Sequence, residues 1–208
     1  MLLSCNTVIG DFEIYFWTLC YLHPAFKILL GSTRWKQGGN KTKQTALSDD
    51  LHITIRSGTI DDAAKFNKIE KACFPPEMRY GVSILSMLLS MTPIYTILTV
   101  ELTKNSEIIA FAIGEQDEKN ASLGRIITIQ VDPSFQRKKV GKKLLLELET
   151  KLSSQYGIDY FELQVHNKNQ GAIEFYQRQG YKINKLLHNY YARKEHAYLM
   201  EKEFLNNP

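Results

Sequence analysis

Five cationic side chains crowd one junction in the sequence: Arg137, Lys138, Lys139, Lys142 and Lys143. Ahead of them Ile127, Ile129 and Val131 alternate, and behind them Val140, Leu144, Leu148 and Leu152 recur at helical spacing, so the order reads strand, tight loop, helix. The first turn of a helix leaves backbone N–H groups without partners and carries the positive end of the macrodipole, which suits a phosphate. Gly141 in that turn lets the backbone come close to a ligand. The chemistry on offer is a grip on a multiply phosphorylated cofactor, and the bland alternative is a solvated basic helix end. A second cluster, Asn169 to Tyr181, places Phe175, Tyr176 and Tyr181 near Gly180. Aromatics at that spacing ordinarily pack a core.

The elements that must position these groups begin near residue 53. Ile53 to Arg56 alternates as a strand, and Ile60 to Cys73 has helical spacing with Thr59 or Asp61 near its cap. Pro75 and Pro76 end that helix, and Val82 to Met91 reads as a second one. Strands at 95–101 and 107–115 are joined by a hairpin turn at Lys104-Asn105, and a third spans 123–131. After the basic loop and its helix come a strand at 160–166, a helix at 170–179 stopped by Gly180, and strands at 181–187 and 196–204. Seven strands and four helices in this order predict an α/β (α+β) fold built on a mixed sheet.

Length and composition restrict the classes open to it. The chain has 208 residues, enough for one core, and 44% apolar with 23% charged residues argues against wholesale disorder. A net charge of +4 favours a local anion site over a broad nucleic-acid-binding face. Cys5, Cys20 and Cys73 are odd in number and unpaired in spacing, so neither a disulfide framework nor a metal site is expected and a cytoplasmic location fits. Residues 1–50 read as an N-terminal extension and linker, and residues 51–208 as the folded domain. The apolar stretch Phe12 to Leu30 is interrupted by Glu13, His23, Pro24 and Lys27, so stable membrane association is not expected. An extra packed element, a peripheral anchor and sequence upstream of the true start all fit residues 1–50. The last fits best, because nothing there connects periodically to the regular pattern that begins at Ile53.

Residues 53–204 resemble the GNAT superfamily of acetyl-CoA-dependent N-acetyltransferases. The family's cofactor loop reads Gln/Arg-x-x-Gly-x-Gly/Ala, and this sequence has Gln136-Arg137-Lys138-Lys139-Val140-Gly141, with Lys139 where the first glycine stands. The family's Asn-x-x-Ala-x-x-Phe/Leu-Tyr-x-x-x-Gly-Phe/Tyr is matched by Asn169, Ala172, Phe175, Tyr176, Gly180 and Tyr181. The resemblance implies a splayed strand pair holding acetyl-CoA, with Ile129, Gln130 and Val131 along the acetyl and pantetheine arm. Gln136, Arg137, Lys138, Lys139, Val140, Gly141 and Lys142 would hold the pyrophosphate. Asn169 would contact pantetheine, or serve only as a helix cap, and Tyr176 would protonate the departing thiolate.

Three segments resemble the protein N-terminal acetyltransferases, the ribosomal-protein alanine acetyltransferases and their archaeal relatives. They are Phe74-Pro75-Pro76-Glu77-Met78-Arg79-Tyr80, Phe161 to His166, and Tyr190-Tyr191 followed by Ala197-Tyr198-Leu199-Met200. The resemblance implies a peptide slot lined by Tyr80, Tyr190 and Tyr191. The relatives' glutamate twelve residues before the acid tyrosine is Gln164 here, which cannot accept a proton at neutral pH. Glu77, Glu162 and His166 are the candidate bases, with ordered water as the alternative. The expected reaction is acetyl transfer from acetyl-CoA to an α-amino group of a protein or peptide N-terminus, a ribosomal protein among the options, by a monomer or homodimer. The rivals are a small-amine acetyltransferase with an acidic cleft (Glu77, Glu115, Asp117) and a non-catalytic acyl-CoA-binding module.

Overall fold

The computed structural model describes residues 51–74, 76, 79–91, 94–191 and 195–204. Its elements are β1 (Ile53–Ser57), α1 (Ala63–Cys73), α2 (Val82–Ser90), β2 (Tyr95–Leu102), β3 (Ile108–Gln116), β4 (Leu123–Val131), α3 (Val140–Tyr156), β5 (Tyr160–His166), α4 (Gln170–Arg178), β6 (Lys182–Tyr191) and β7 (Glu195–Glu203). They form one seven-stranded sheet in the order β1-β2-β3-β4-β5-β7-β6. All neighbours are antiparallel except β4 and β5, which run parallel because α3 carries the chain across between them. The element order read from periodicity holds throughout.

Two cores sandwich the sheet. Val140, Leu144, Leu148 and Leu152, the apolar stripe of α3, are all 1% exposed or less and pack on Val100, Ala110, Ile126, Phe161 and Leu163. On the opposite face Phe66 and Ile69 of α1 join Leu85 and Leu88 of α2 over Ile97, Phe111 and Ile113, with the Phe66 and Phe111 rings stacked at 4.1 Å.

Three local differences from the sequence reading have physical causes. The helix expected from Ile60 opens as a single 3-10 turn, Ile60–Asp62, because the Asp62 carboxylate accepts the Thr59 N–H at 2.9 Å and pairs with Arg56 of β1. Tyr181 is not in a strand: it is 2% exposed and donates its hydroxyl to Glu149 of α3 at 2.7 Å, so β6 begins one residue later. And β6 continues past Leu187 to Tyr191 through a register shift, with Asn189 at φ 53°, which puts the paired tyrosines at the end of a strand.

Candidate active site

The site is built where β4 and β5 part. Their pairing runs only from Leu123↔Tyr160 to Ile126↔Leu163, although β4 continues to Val131 and β5 to His166. The register of β4 against β3 slips between Ile113↔Thr128 and Gly114↔Ile126, so Ile127 is an extra residue, a bulge. A bulge reverses the alternation. Ile127 packs with the α1–α2 core, whereas Ile129 and Val131 pack with the α3 core, so the apparently continuous stripe Ile127, Ile129, Val131 is split between two faces.

The backbone at the opening is set by the ladder. The Asp132 N–H donates to the Ile109 carbonyl at 2.9 Å while Val131 stands opposite Ala110. In an antiparallel ladder that makes Val131, and two residues earlier Ile129, positions whose own N–H and C=O point away from β3 and into the gap. The Val131 carbonyl is taken by Gln136 Nε2 at 3.0 Å and by the Cys73 thiol at 3.4 Å. Burial pushes that thiol up to about 12, so it stays protonated. Gln130, between the two gap-facing residues, turns its side chain to Thr128 Oγ1 at 3.0 Å.

The basic loop lies against this gap. Arg137 and Lys139 adopt left-handed backbone, φ 60° and 63°, so Lys139 takes the geometry for which glycine is the favoured residue. Lys139 is the N-cap of α3, and its own side chain makes no capping hydrogen bond. The Lys138 ammonium lies 5.0 Å from the Phe135 ring. A methyl group on Gly141 would meet Phe175 and Val131 at 3.5 Å, which shows how closely α3, α4 and the end of β4 converge. A helix start whose N-cap side chain makes no capping bond, surrounding cations and gap-facing N–H groups fit an acyl-CoA lying along the gap, where Val140, Gly141 and Lys142 would supply the first-turn N–H groups.

On α4, Asn169 is the N-cap: its Oδ1 accepts from the Ala172 N–H at 3.2 Å. Tyr176, on the same helix, is 9% exposed and packs edge-on against Phe175 and Tyr181, with centroids 5.1 and 5.7 Å apart. Burial holds its phenol well above the ordinary value, so the proton is retained at rest. Tyr191 stacks on His166 at 5.4 Å and meets Tyr190 edge-on at 5.0 Å. Its phenol is raised by burial first and then by Tyr190, Tyr80 and Tyr176. Tyr80 is raised by burial, then by Glu70, Tyr190 and Tyr95. Tyr190 and Tyr191, expected from the resemblance to line a slot, therefore pack together on the Gln164–His166 end of β5, with Tyr80 and Tyr176 near enough to act on Tyr191 electrostatically.

The profile described as the Acetyltransferase (GNAT) family matches residues 64–181. The chain belongs to that family. Over 154 residues this acetyltransferase is 28% identical to the catalytic subunit of the N-terminal acetyltransferase A complex of Arabidopsis thaliana, covering 72% of this chain and 77% of that one. Ard1 from Thermoplasma volcanium matches it with a TM-score of 0.66 at 24% identity, over 75% of this chain and 100% of that one. The ribosomal-protein-S18-alanine N-acetyltransferase from Escherichia coli does so with a TM-score of 0.61 at 25% identity, over 75% and 98% of the two chains.

Of the candidate bases of the acetyltransferase, Glu77 lies outside the described residues. Glu162, Gln164 and His166 share the slot face of β5, as alternation predicts, while Phe161, Leu163 and Val165 enter the α3 core. Glu162 accepts from Arg125 Nε at 2.7 Å, and Arg125 also pairs with Asp117. Gln164 Oε1 lies 3.1 Å from the Tyr190 hydroxyl, which donates to it. His166 Nδ1 accepts the Lys168 N–H at 3.1 Å, which puts the ring proton on Nε2, 3.4 Å from Glu195. In this tautomer His166 has no lone pair to offer an amine. Arg125 is the residue the sequence reading missed: an arginine on a strand looks like an ordinary solvated cation until its two carboxylate partners, distant in sequence, are in place.

No helix among the described residues is long and apolar enough to cross a membrane, and no group of three or more potential metal ligands occurs among them.

Proposed function

We propose that this enzyme transfers the acetyl group of acetyl-CoA directly to the α-amino group of a protein or peptide N-terminus. The observation that carries the reading is the packing of Tyr190 and Tyr191 on Gln164 and His166, the part of β5 beyond its pairing with β4, with Tyr80 and Tyr176 nearby. An aromatic-walled slot suits an extended peptide terminus, whose backbone must be desolvated before its amine can reach the gap. Acetyl-CoA supplies the acyl thioester. The N–H groups of Ile129 and Val131, which face the gap, would donate to the thioester oxygen as negative charge develops on it, and preorganised donors in a dry site are effective there. Tyr176 holds the proton that the departing sulfur needs. The loop from Gln136 to Lys142, with Arg137, Lys138, Lys139 and Lys142 as its cations, grips the pyrophosphate, and the amide of Asn169 is left with Nδ2 to donate to the pantetheine arm. No strong base is required: an α-amine has a pKa of about 8, so an appreciable fraction is neutral at physiological pH. Glu77, Glu162 through the Arg125 network, or a water at Gln164 would take up the remaining proton.

Arg125 weighs against a small polyamine as acceptor, since it already pairs with Asp117, one of the carboxylates such a cleft would use. The test is thiol release from acetyl-CoA with a panel of free N-terminal peptides beside spermidine and an aminoglycoside. Turnover with peptides at least about a hundredfold above the small amines is expected, a gap that a lost slot contact of about 3 kcal/mol would produce. Turnover confined to the small amines overturns the reading, and tight acetyl-CoA binding without any turnover would move the chain to a non-catalytic role.

A further inference from the structure

Between the end of α1 and the start of α2, the backbone at the slot residue Tyr80 is held from below. Asn67 Nδ2 donates to the Tyr80 carbonyl at 2.9 Å, and the Tyr80 N–H donates to Glu70 Oε2 at 3.0 Å. Both side chains are buried, 7% and 0% exposed, and sit one turn apart on the same face of α1. Arg79 is tied to the end of the same helix, donating to the carbonyls of Phe74 at 2.6 Å and Lys71 at 3.1 Å. Loop backbone is ordinarily left to water; here both polar groups of one residue are tied to a helix rooted in the core through Phe66 and Ile69. A fully buried carboxylate is expensive to place, and this one directs a hydrogen bond to the slot.

We infer that Asn67 and Glu70 are positioning residues that fix the Tyr80 ring opposite Tyr190 and so set which N-terminal peptides the enzyme accepts. This rests on the N-terminal acetyltransfer reading. Their hydrogen bonds run to the Tyr80 backbone, on the acceptor side of the site, so the peptide KM is where their loss shows first. Removing the Glu70 acceptor frees the Tyr80 backbone and lets the ring leave the slot wall; glutamine keeps an acceptor oxygen there.

The test compares Glu70→Ala and Glu70→Gln, each alone and in a Tyr80→Ala background. Glu70→Ala is expected to raise the peptide KM about tenfold while the acetyl-CoA KM stays within about twofold, with Glu70→Gln restoring most of the loss. In the Tyr80→Ala background the Glu70→Ala change should add less than about twofold, because the two act through one ring. An equal rise in both KM values, or a tenfold loss that persists without the Tyr80 side chain, overturns the inference. If Glu70→Ala does not fold, Asn67→Ala takes the same comparison. Amide exchange at Tyr80, faster in either alanine variant and unchanged at Ala172, tests the clamp without any acceptor; unchanged exchange at Tyr80 overturns it. Failure of the parent enzyme to acetylate any peptide would instead remove the N-terminal reading and leave the exchange result standing.

Discussion

Tyr176 keeps its proton because it is buried, yet in the proposed reaction it gives that proton to sulfur. The two demands are compatible: a thiolate released in the same dry place loses solvation as a phenolate would, so its basicity rises alongside. Replacing Tyr176 by Phe should lower kcat by about a hundredfold or more while acetyl-CoA affinity changes less than about threefold, as single-turnover kinetics and calorimetry would show. Lys139 sets a second expectation. Its φ of 63° is held against the steric preference of a side chain, so Lys139→Gly should raise stability by about 1 kcal/mol in thermal unfolding, with weaker acetyl-CoA binding as the charge is lost. The family resemblance identified Lys139 as the odd residue of its motif; the left-handed backbone explains why glycine is the usual choice there.

The elements were legible from periodicity, and the boundaries of β4 and β5 are those the sequence predicts. What periodicity could not reveal is the bulge at Ile127, because an extra residue in an apolar run leaves the composition of the run unchanged. That bulge and the early end of the β4–β5 ladder make the gap. Gly124 guards the last paired stretch before it. A methyl there would stand 2.5 Å from the Phe161 ring, itself edge-on to Phe204 at 5.5 Å. Gly124→Ala is therefore expected to cost about 1–3 kcal/mol in denaturant unfolding, and a loss below a few tenths would contradict the tight packing described. The site tyrosines were named only through resemblance: Tyr190 and Tyr191 look like hairpin filler until the fold brings them beside Tyr80 and His166.

At the scale of the whole molecule, the β5–β7 side couples the slot to pH. Burial lowers the His166 pKa, helped by the nearby Lys168 and His196 and opposed by Glu195. An unfolded histidine titrates near about 6.5, so below that value the unfolded chain takes up a proton that the folded chain resists. Stability should thus fall as pH drops from about 6.5 until the folded ring also protonates, and His166→Gln should flatten that slope in melting curves recorded between about pH 7.5 and 5. The proposed division of labour across the sheet, coenzyme grip on the α3 side of the gap and tyrosine slot on the α1–α2 side, makes acetylation of an α-amine the account's central claim. The most direct measurement offers the enzyme a peptide carrying one free α-amine and one internal lysine, with acetyl-CoA, and locates the acetyl group by fragment mass. The account predicts acetylation at the N-terminal nitrogen with the lysine left free; modification of the lysine with the N-terminus untouched would contradict it.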